Sequence, residues 1–360
     1  MSIKVGLVGL PNVGKSTFFN VLTCGSAAAA NYAFCTIEPN IGSLVIEDER
    51  IDMLASVDNP ANIVRETVQI VDIAGLVKGA SEGEGLGNQF LANIREVDMI
   101  LHVVRCFSNG DIIHVNGTVD PFFDMDIIES ELRIKDLDTV NNRIERVQRL
   151  LRSGDKKADI ELQFLSRLKS LLSGEGSIRD IVKDDNEETI LRGMQLLSSK
   201  PVLFIFNIDS YACIDNSEIC AEIKERFFPS DYIFLPIKNV SDMIEMIDFG
   251  EDPFQFDEYG CWLSSLKELS RKIYDKLGFI SFFTSGEDET RAWTIKDGTC
   301  AQKAAGVIHS DFEKKFVKAE VSPFDDYYKN KKEGLKNNPR IEGRDYIVKD
   351  GDVIFFKIGQ

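Results

Sequence analysis

Ile3-Lys4-Val5-Gly6-Leu7-Val8-Gly9-Leu10-Pro11-Asn12-Val13-Gly14-Lys15-Ser16-Thr17-Phe18-Phe19-Asn20-Val21-Leu22 reads as an apolar strand, a glycine-framed loop and a helix in direct succession. Gly9 to Ser16 fits G-x-x-x-x-G-K-[ST], a loop whose glycines let backbone N–H groups turn inward around phosphates. The positive end of the following helix adds to that attraction. Lys15 would reach the β and γ phosphates, and the Ser16 hydroxyl would serve Mg²⁺. The stretch therefore predicts a nucleoside triphosphate site on a strand-loop-helix unit.

Beyond it the alternation continues. Val5 to Leu10, Ile41 to Glu47, Thr67 to Asp72 and Met99 to Arg105 read as strands, with two more at Pro201 to Phe206 and Tyr232 to Pro236. Such a series implies a mainly parallel sheet flanked by helices. Between residues 126 and 196 the period changes. Leu137, Val140, Ile144, Val147 and Leu151 step by three and four, and Leu165, Leu168 and Leu172 repeat the stripe on a second helix, so an antiparallel hairpin is expected. Arg143, Arg146, Arg149 and Arg152 recur on the first of these helices. They read either as a basic stripe for RNA or as a solvated face paired with neighbouring acids.

The last part has its own character. Residues 279 to 360 hold 14 basic and 14 acidic residues, so the entire net charge of −17 lies in the first 278. That balance argues against a broad nucleic-acid surface on the body, and against DNA as a partner, while a neutral, lysine-rich end can approach RNA. Short β-like runs at Ala292 to Ile295, Tyr346 to Lys349 and Val353 to Ile358 surround a helical Gln302 to Phe316, a small α+β module. The expected organisation is α/β: a P-loop sheet domain over 1–125 and 197–277, a helical coiled-coil insertion over 126–196, and an α+β domain over 278–360. Seven scattered cysteines without a C-x-x-C pair suit a reducing compartment. No apolar run approaches a membrane span and no signal segment precedes the first strand, so a cytoplasmic chain without a membrane partner is expected.

Further motifs add detail to the site. Thr36, in the loop after the first helix, is placed to give Mg²⁺ a second hydroxyl, and Asp72 in Asp72-Ile73-Ala74-Gly75 would reach the metal through water. The Gly75 N–H would meet the γ-phosphate. Leu76 follows, where Ras-like enzymes carry the glutamine that orients the attacking water. Another group must do this. His114 is a candidate for positioning that water or moving its proton, the alternative being a structural loop histidine. Base recognition falls at Asn207-Ile208-Asp209-Ser210, where guanine-specific enzymes carry N-K-x-D. With no carboxylate in the fourth position, adenine is favoured, Asn207 meeting its N6/N7 edge and Ile208 packing on the ring. Asp209 stands one position early, which keeps GTP as the alternative. A protein that senses nucleotide with negligible turnover is a second one.

These motifs, with Phe34-Cys35-Thr36-Ile37-Glu38-Pro39-Asn40, His102-Val103-Val104-Arg105-Cys106-Phe107, Arg291-Ala292-Trp293-Thr294-Ile295 and Asp345 to Asp352, resemble the YchF/Obg-like ATPase family over the whole chain. The resemblance implies a C-terminal TGS module of β-grasp type, ATP hydrolysis with Mg²⁺ and association with ribosomes. It implies that Asn12, Val13, Gly14, Lys15, Ser16 and Thr17 wrap the phosphates. Ser16 and Thr36 would ligate Mg²⁺, the Ile208 main chain would contact adenine, and His114 would compensate for the missing glutamine. Asn12 matches the asparagine of potassium-stimulated relatives, which implies K⁺ as a further cation. The chain departs from the family pattern at Ser210, where glutamate is usual, and at Ile237 to Val240.

Overall fold

The computed structural model describes residues 3–29, 40–73, 92–107, 119–152, 157–174, 178, 181–182 and 184–359. In chain order β1 (Lys4–Val8), α1 (Lys15–Ala29), β2 (Ile41–Val45), α2 (Glu49–Asp58), β3 (Asn62–Val64), β4 (Thr67–Asp72) and β5 (Met99–Arg105) come first. The helices α3 (Pro121–Arg152), α4 (Lys157–Leu172) and α5 (Asp185–Met194) follow. Then come β6 (Val202–Asn207), α6 (Glu218–Arg226), β7 (Tyr232–Leu235), α7 (Ile237–Asp248) and α8 (Asp257–Leu277). The C-terminal elements are β8 (Phe279–Ser285), β9 (Glu289–Lys296), α9 (Ala301–Ile308), β10 (Phe316–Pro323), α10 (Phe324–Lys332), β11 (Arg340–Glu342) and β12 (Asp352–Ile358). The chain divides into two compact units, the described residues within 3–42 and 69–261 forming one and those within 43–68 and 262–359 the other.

In the first unit the sheet order is β2-β4-β1-β5-β6-β7. β1 pairs in parallel with β4 on one side and β5 on the other, and β5-β6-β7 continue in parallel. Val5, Leu7, Val8, Ile70, Met99 and Leu101 are buried on this central run, as expected of strands covered on both faces. Because the sheet is extended in opposite directions from β1, a crevice opens at the carboxyl end of that strand, where ligands bind in open α/β sheets. The loop Gly9 to Gly14 lies there.

The insertion forms its own apolar core. Val140 and Val147 of α3 pack with Ala158, Phe164, Leu165, Leu168 and Leu172 of α4. Arg143 meets Glu161 at 2.6 Å, and Arg133 further back on α3 donates to the Gly174 carbonyl beyond α4, so the helices run antiparallel. Arg149 faces Glu145 at 3.8 Å. For Arg143 and Arg149, then, the paired helix face is the arrangement observed. Asp136, 1% exposed, ties the hairpin to the sheet, its carboxylate accepting from the Leu197 and Ser198 N–H groups at 2.8 Å just ahead of β6.

The second unit carries a mixed sheet in the order β11-β10-β12-β8-β9-β3. The β8-β9 hairpin is antiparallel, β12 returns parallel to β8, and α9 lies across one face, the β-grasp arrangement. Ala301, Ala304 and Ala305 let α9 approach closely over Phe282, Trp293, Phe316 and Phe356. The other face is covered by α2 and α10, with Ile51, Leu54, Phe283, Tyr327 and Val353 in contact. Two expectations are corrected here. Gln302 to Phe316 is helical but not continuous: α9 stops at Ile308, His309 is extended and its Nδ1 accepts the Asp311 N–H at 3.1 Å to cap a second, five-residue helix over Ser310–Lys314, and β10 begins at Phe316. Tyr346 to Lys349 is not a strand, because the Asp352 carboxylate takes the Lys349 N–H at 2.9 Å and holds a turn; only the isolated bridge Cys300↔Ile347 remains.

Candidate nucleotide site

Backbone geometry builds the site first. A Cβ on Gly9 would stand 2.7 Å from the Val103 carbonyl and 2.9 Å from Val13 Cγ2, so only glycine lets the chain leave β1 this close to β5. Asn12 has φ 64° and Gly14 φ 97°. The loop thus turns twice through the left-handed region before α1 begins at Lys15, with the Phe18 N–H closing on the Gly14 carbonyl at 2.9 Å. N–H groups of a helix's first turn have no partner within the helix, so those of Lys15, Ser16 and Thr17 are set to serve an anion.

Side chains converge on the same point. Leu7 of β1 lies in register with Asp72 of β4, which brings the Asp72 carboxylate to the end of the loop. There it pairs with the Lys15 ammonium, the two side chains 13% and 10% exposed. Ser16 is exposed beside them and Val13 is buried beneath. A cation and an oxygen donor are thus held where a metal-bearing phosphate would meet both.

Asn207, at the end of β6, braces the loop. Its Nδ2 donates to the Val13 carbonyl at 2.9 Å and its Oδ1 accepts the Ile237 N–H at 3.1 Å, with the residue 4% exposed. A Cβ on Gly14 would stand 2.6 Å from that Nδ2. Asn207 therefore links the phosphate loop to the start of α7, leaving one amide hydrogen of Nδ2 for any base contact. Ile208 differs from expectation. Its side chain is 3% exposed and packs with Val104, Met125, Phe206 and Ile223, while its N–H donates to the Leu235 carbonyl at 3.0 Å. It lies in the core, so it does not cover a purine ring. Asp209 is exposed, and the Ser210 hydroxyl faces Cys213 Sγ at 3.6 Å.

Thr36, Gly75 and His114 lie outside the described residues. Among the described histidines, His102 is buried on β5 beside Phe204, and burial pushes its pKa down to about 4. It stays neutral at ordinary pH, unsuited to trading protons there. The partners that sequence reading missed are Val103, which makes Gly9 obligatory, and Ile237, whose N–H fixes Asn207. A helix start just after a strand was the available signal for Ile237.

Comparison with known proteins places this geometry. Residues 4–152 match the family described as 50S ribosome-binding GTPase, and residues 279–359 match the C-terminal family of YchF GTPases, described as a protein of unknown function. A protein of Haemophilus ducreyi named ribosome-binding ATPase YchF is 44% identical, covering 99% of both chains. The zebrafish protein named Obg-like ATPase 1 is 43% identical over 99% of this chain and 92% of its own. The solved structure of the Schizosaccharomyces pombe YchF GTPase superposes with a TM-score of 0.82 at 33% identity, covering 99% and 98% of the two chains.

Proposed function

The chain belongs to the YchF/Obg-like ATPase family, and from that premise we propose that it hydrolyses ATP with Mg²⁺ as a nucleotide-dependent switch that associates with ribosomes in the cytoplasm. The observation that carries the reading is the meeting of Lys15 and Asp72 at the mouth of a loop braced by Asn207. The relatives, named a ribosome-binding ATPase and an Obg-like ATPase, supply the substrate and the ribosome.

The donor set fits Mg²⁺. Ser16 and Asp72 offer a hydroxyl and a carboxylate, hard oxygen donors of the kind this ion takes alongside waters and phosphate oxygens. Among the described residues no group of three His, Cys, Asp or Glu converges, which suits an ion carried by the phosphates rather than an all-protein cage. Ser16, Thr36 and Asp72 would hold it, and when bound it neutralises charge on the phosphates. Asn12 to Thr17 wrap the phosphates, Lys15 meets the β and γ groups, and the Gly75 N–H meets the γ group. Water attacks the γ-phosphorus, the bond to the β–γ bridging oxygen breaks, and ADP, inorganic phosphate and a proton leave. His114 orients that water where Leu76 cannot, and Asn12 would hold a K⁺, which would supply positive charge to the phosphates. The Asn207 amide and the Ile208 main chain face the base. The helical insertion 126–196 and the module 278–360 are the parts through which nucleotide state would be read.

Adenine is favoured because Ser210 offers no carboxylate to the two donors of a guanine edge. Displacement of a fluorescent ATP analogue tests this. ATP should displace it at lower concentration than GTP, and the reverse order would assign the site to GTP.

A further inference from the structure

The stretch 245–261 ends α7 and enters α8. It carries six carboxylates, Glu245, Asp248, Glu251, Asp252, Asp257 and Glu258, and no Lys, Arg or His. Among them stand Phe249 and Phe254, 84% and 86% exposed, with Met246 at 49%. Large apolar rings are usually buried and surface charges usually alternate in sign. Here neither holds, since none of the six carboxylates forms an ion pair among the described residues.

Looseness of the chain does not explain the exposed rings. The Phe249 N–H closes on the Glu245 carbonyl at 3.1 Å and the Glu251 N–H on that of Met246 at 3.1 Å, around Gly250 at φ 100°. The Asp252 carboxylate then takes the Phe254 N–H at 3.0 Å, and Gln255 Nε2 donates to the Glu251 carboxylate at 2.8 Å. Phe254 meets Tyr259 edge-on at 5.8 Å. The turn is fixed by its own hydrogen bonds and presents two rings to solvent. Rigid aromatic anchors of this kind lose little freedom when a partner buries them.

We propose that this turn is a docking site for a basic protein surface of the ribosome, Phe249 and Phe254 entering apolar pockets while the six carboxylates face lysines and arginines. The choice of occupant follows from charge. RNA phosphates are repelled by the carboxylates, and a second copy of a chain with net charge −17 is repelled as a whole. The inference rests on the ribosome reading above. It also gives α7 a place in the switch: the helix begins with the Ile237 N–H on Asn207 and ends at this turn, roughly 18 Å away at 1.5 Å per residue.

The test uses the full-length chain and purified ribosomes with a non-hydrolysable ATP analogue. Phe249→Ser with Phe254→Ser should weaken co-sedimentation at least tenfold while basal ATP hydrolysis stays unchanged. Glu245→Lys with Asp248→Lys should weaken it at low salt and less so at high salt. A photoreactive benzoylphenylalanine in place of Phe254 should crosslink to ribosomal protein. Parental binding by both double variants, or crosslinking to ribosomal RNA, overturns the docking site while leaving the ribosome reading intact. Failure of the parent itself to sediment overturns that reading and this one with it.

Discussion

Gly14 is held from two sides. Its φ of 97° suits glycine alone, and the Asn207 amide occupies the space a methyl would need. Gly14→Ala should therefore displace the brace as well as strain the loop, and calorimetry should find ATP binding weakened by roughly a hundredfold or more. Asn207→Ala leaves the Val13 carbonyl and the Ile237 N–H without their partner, at about 1–3 kcal/mol for each buried group. Urea unfolding of that variant should show the loss even without nucleotide; unchanged stability would mean that the brace is dispensable. Sequence made Gly14 and Lys15 readable because their chemistry lies within eight consecutive residues. The bracing of Val13 by Asn207 spans 194 positions, and no local pattern announces it. The buried side chain of Ile208 was hidden for a similar reason, since its surroundings are assembled from β5, α3, β6 and α6.

His102 shows what a strand imposes on a titratable group. On β5 it is buried against Phe204 with its pKa lowered to about 4 from the usual 6.5. Unfolded chain binds this proton below about 6.5 and folded chain does not until about 4, so the contribution is complete above 6.5 and lost as pH falls through that window. It amounts to about 2 kcal/mol by pH 5. His102→Leu should lose that much less stability than the parent between pH 7 and 5, followed by urea unfolding; parallel curves for the two proteins would contradict it. Strands such as Thr67–Asp72 and Met99–Arg105 were legible to the residue because they are short apolar runs in a buried sheet. The break at His309 was not, as the residues on either side keep a helical pattern and the stop comes from one side-chain bond.

At the scale of the molecule, the chain is shared out differently from its linear order. Residues 43–68 leave the nucleotide-binding part and join the C-terminal unit, where β3 pairs with β9 and α2 covers the sheet. Asp58 on α2, its side chain 2% exposed, accepts from Ser285 at 2.6 Å and Tyr327 at 2.9 Å and pairs with Lys331 at 2.7 Å. Asp58→Ala should destabilise this unit by about 2–4 kcal/mol, since it strips several groups of one buried partner. A fragment cut at residue 279 would lack α2 and β3, exposing Phe283, Ala292 and Val353, and should bind hydrophobic dyes where the full chain does not. The composition shift near Gly278 was visible in the sequence, but the recruitment of an early segment depends on packing between distant residues.

Release of inorganic phosphate from ATP and Mg²⁺, followed for the parent and for Lys15→Ala under matched conditions, decides whether the braced loop is a hydrolytic site. Slow but measurable release from the parent, falling by roughly a hundredfold or more in a variant that keeps its fold, is the expected result. Equal rates in the two proteins would place hydrolysis elsewhere, and no release from the parent in either potassium or sodium salts would make the chain a nucleotide sensor instead.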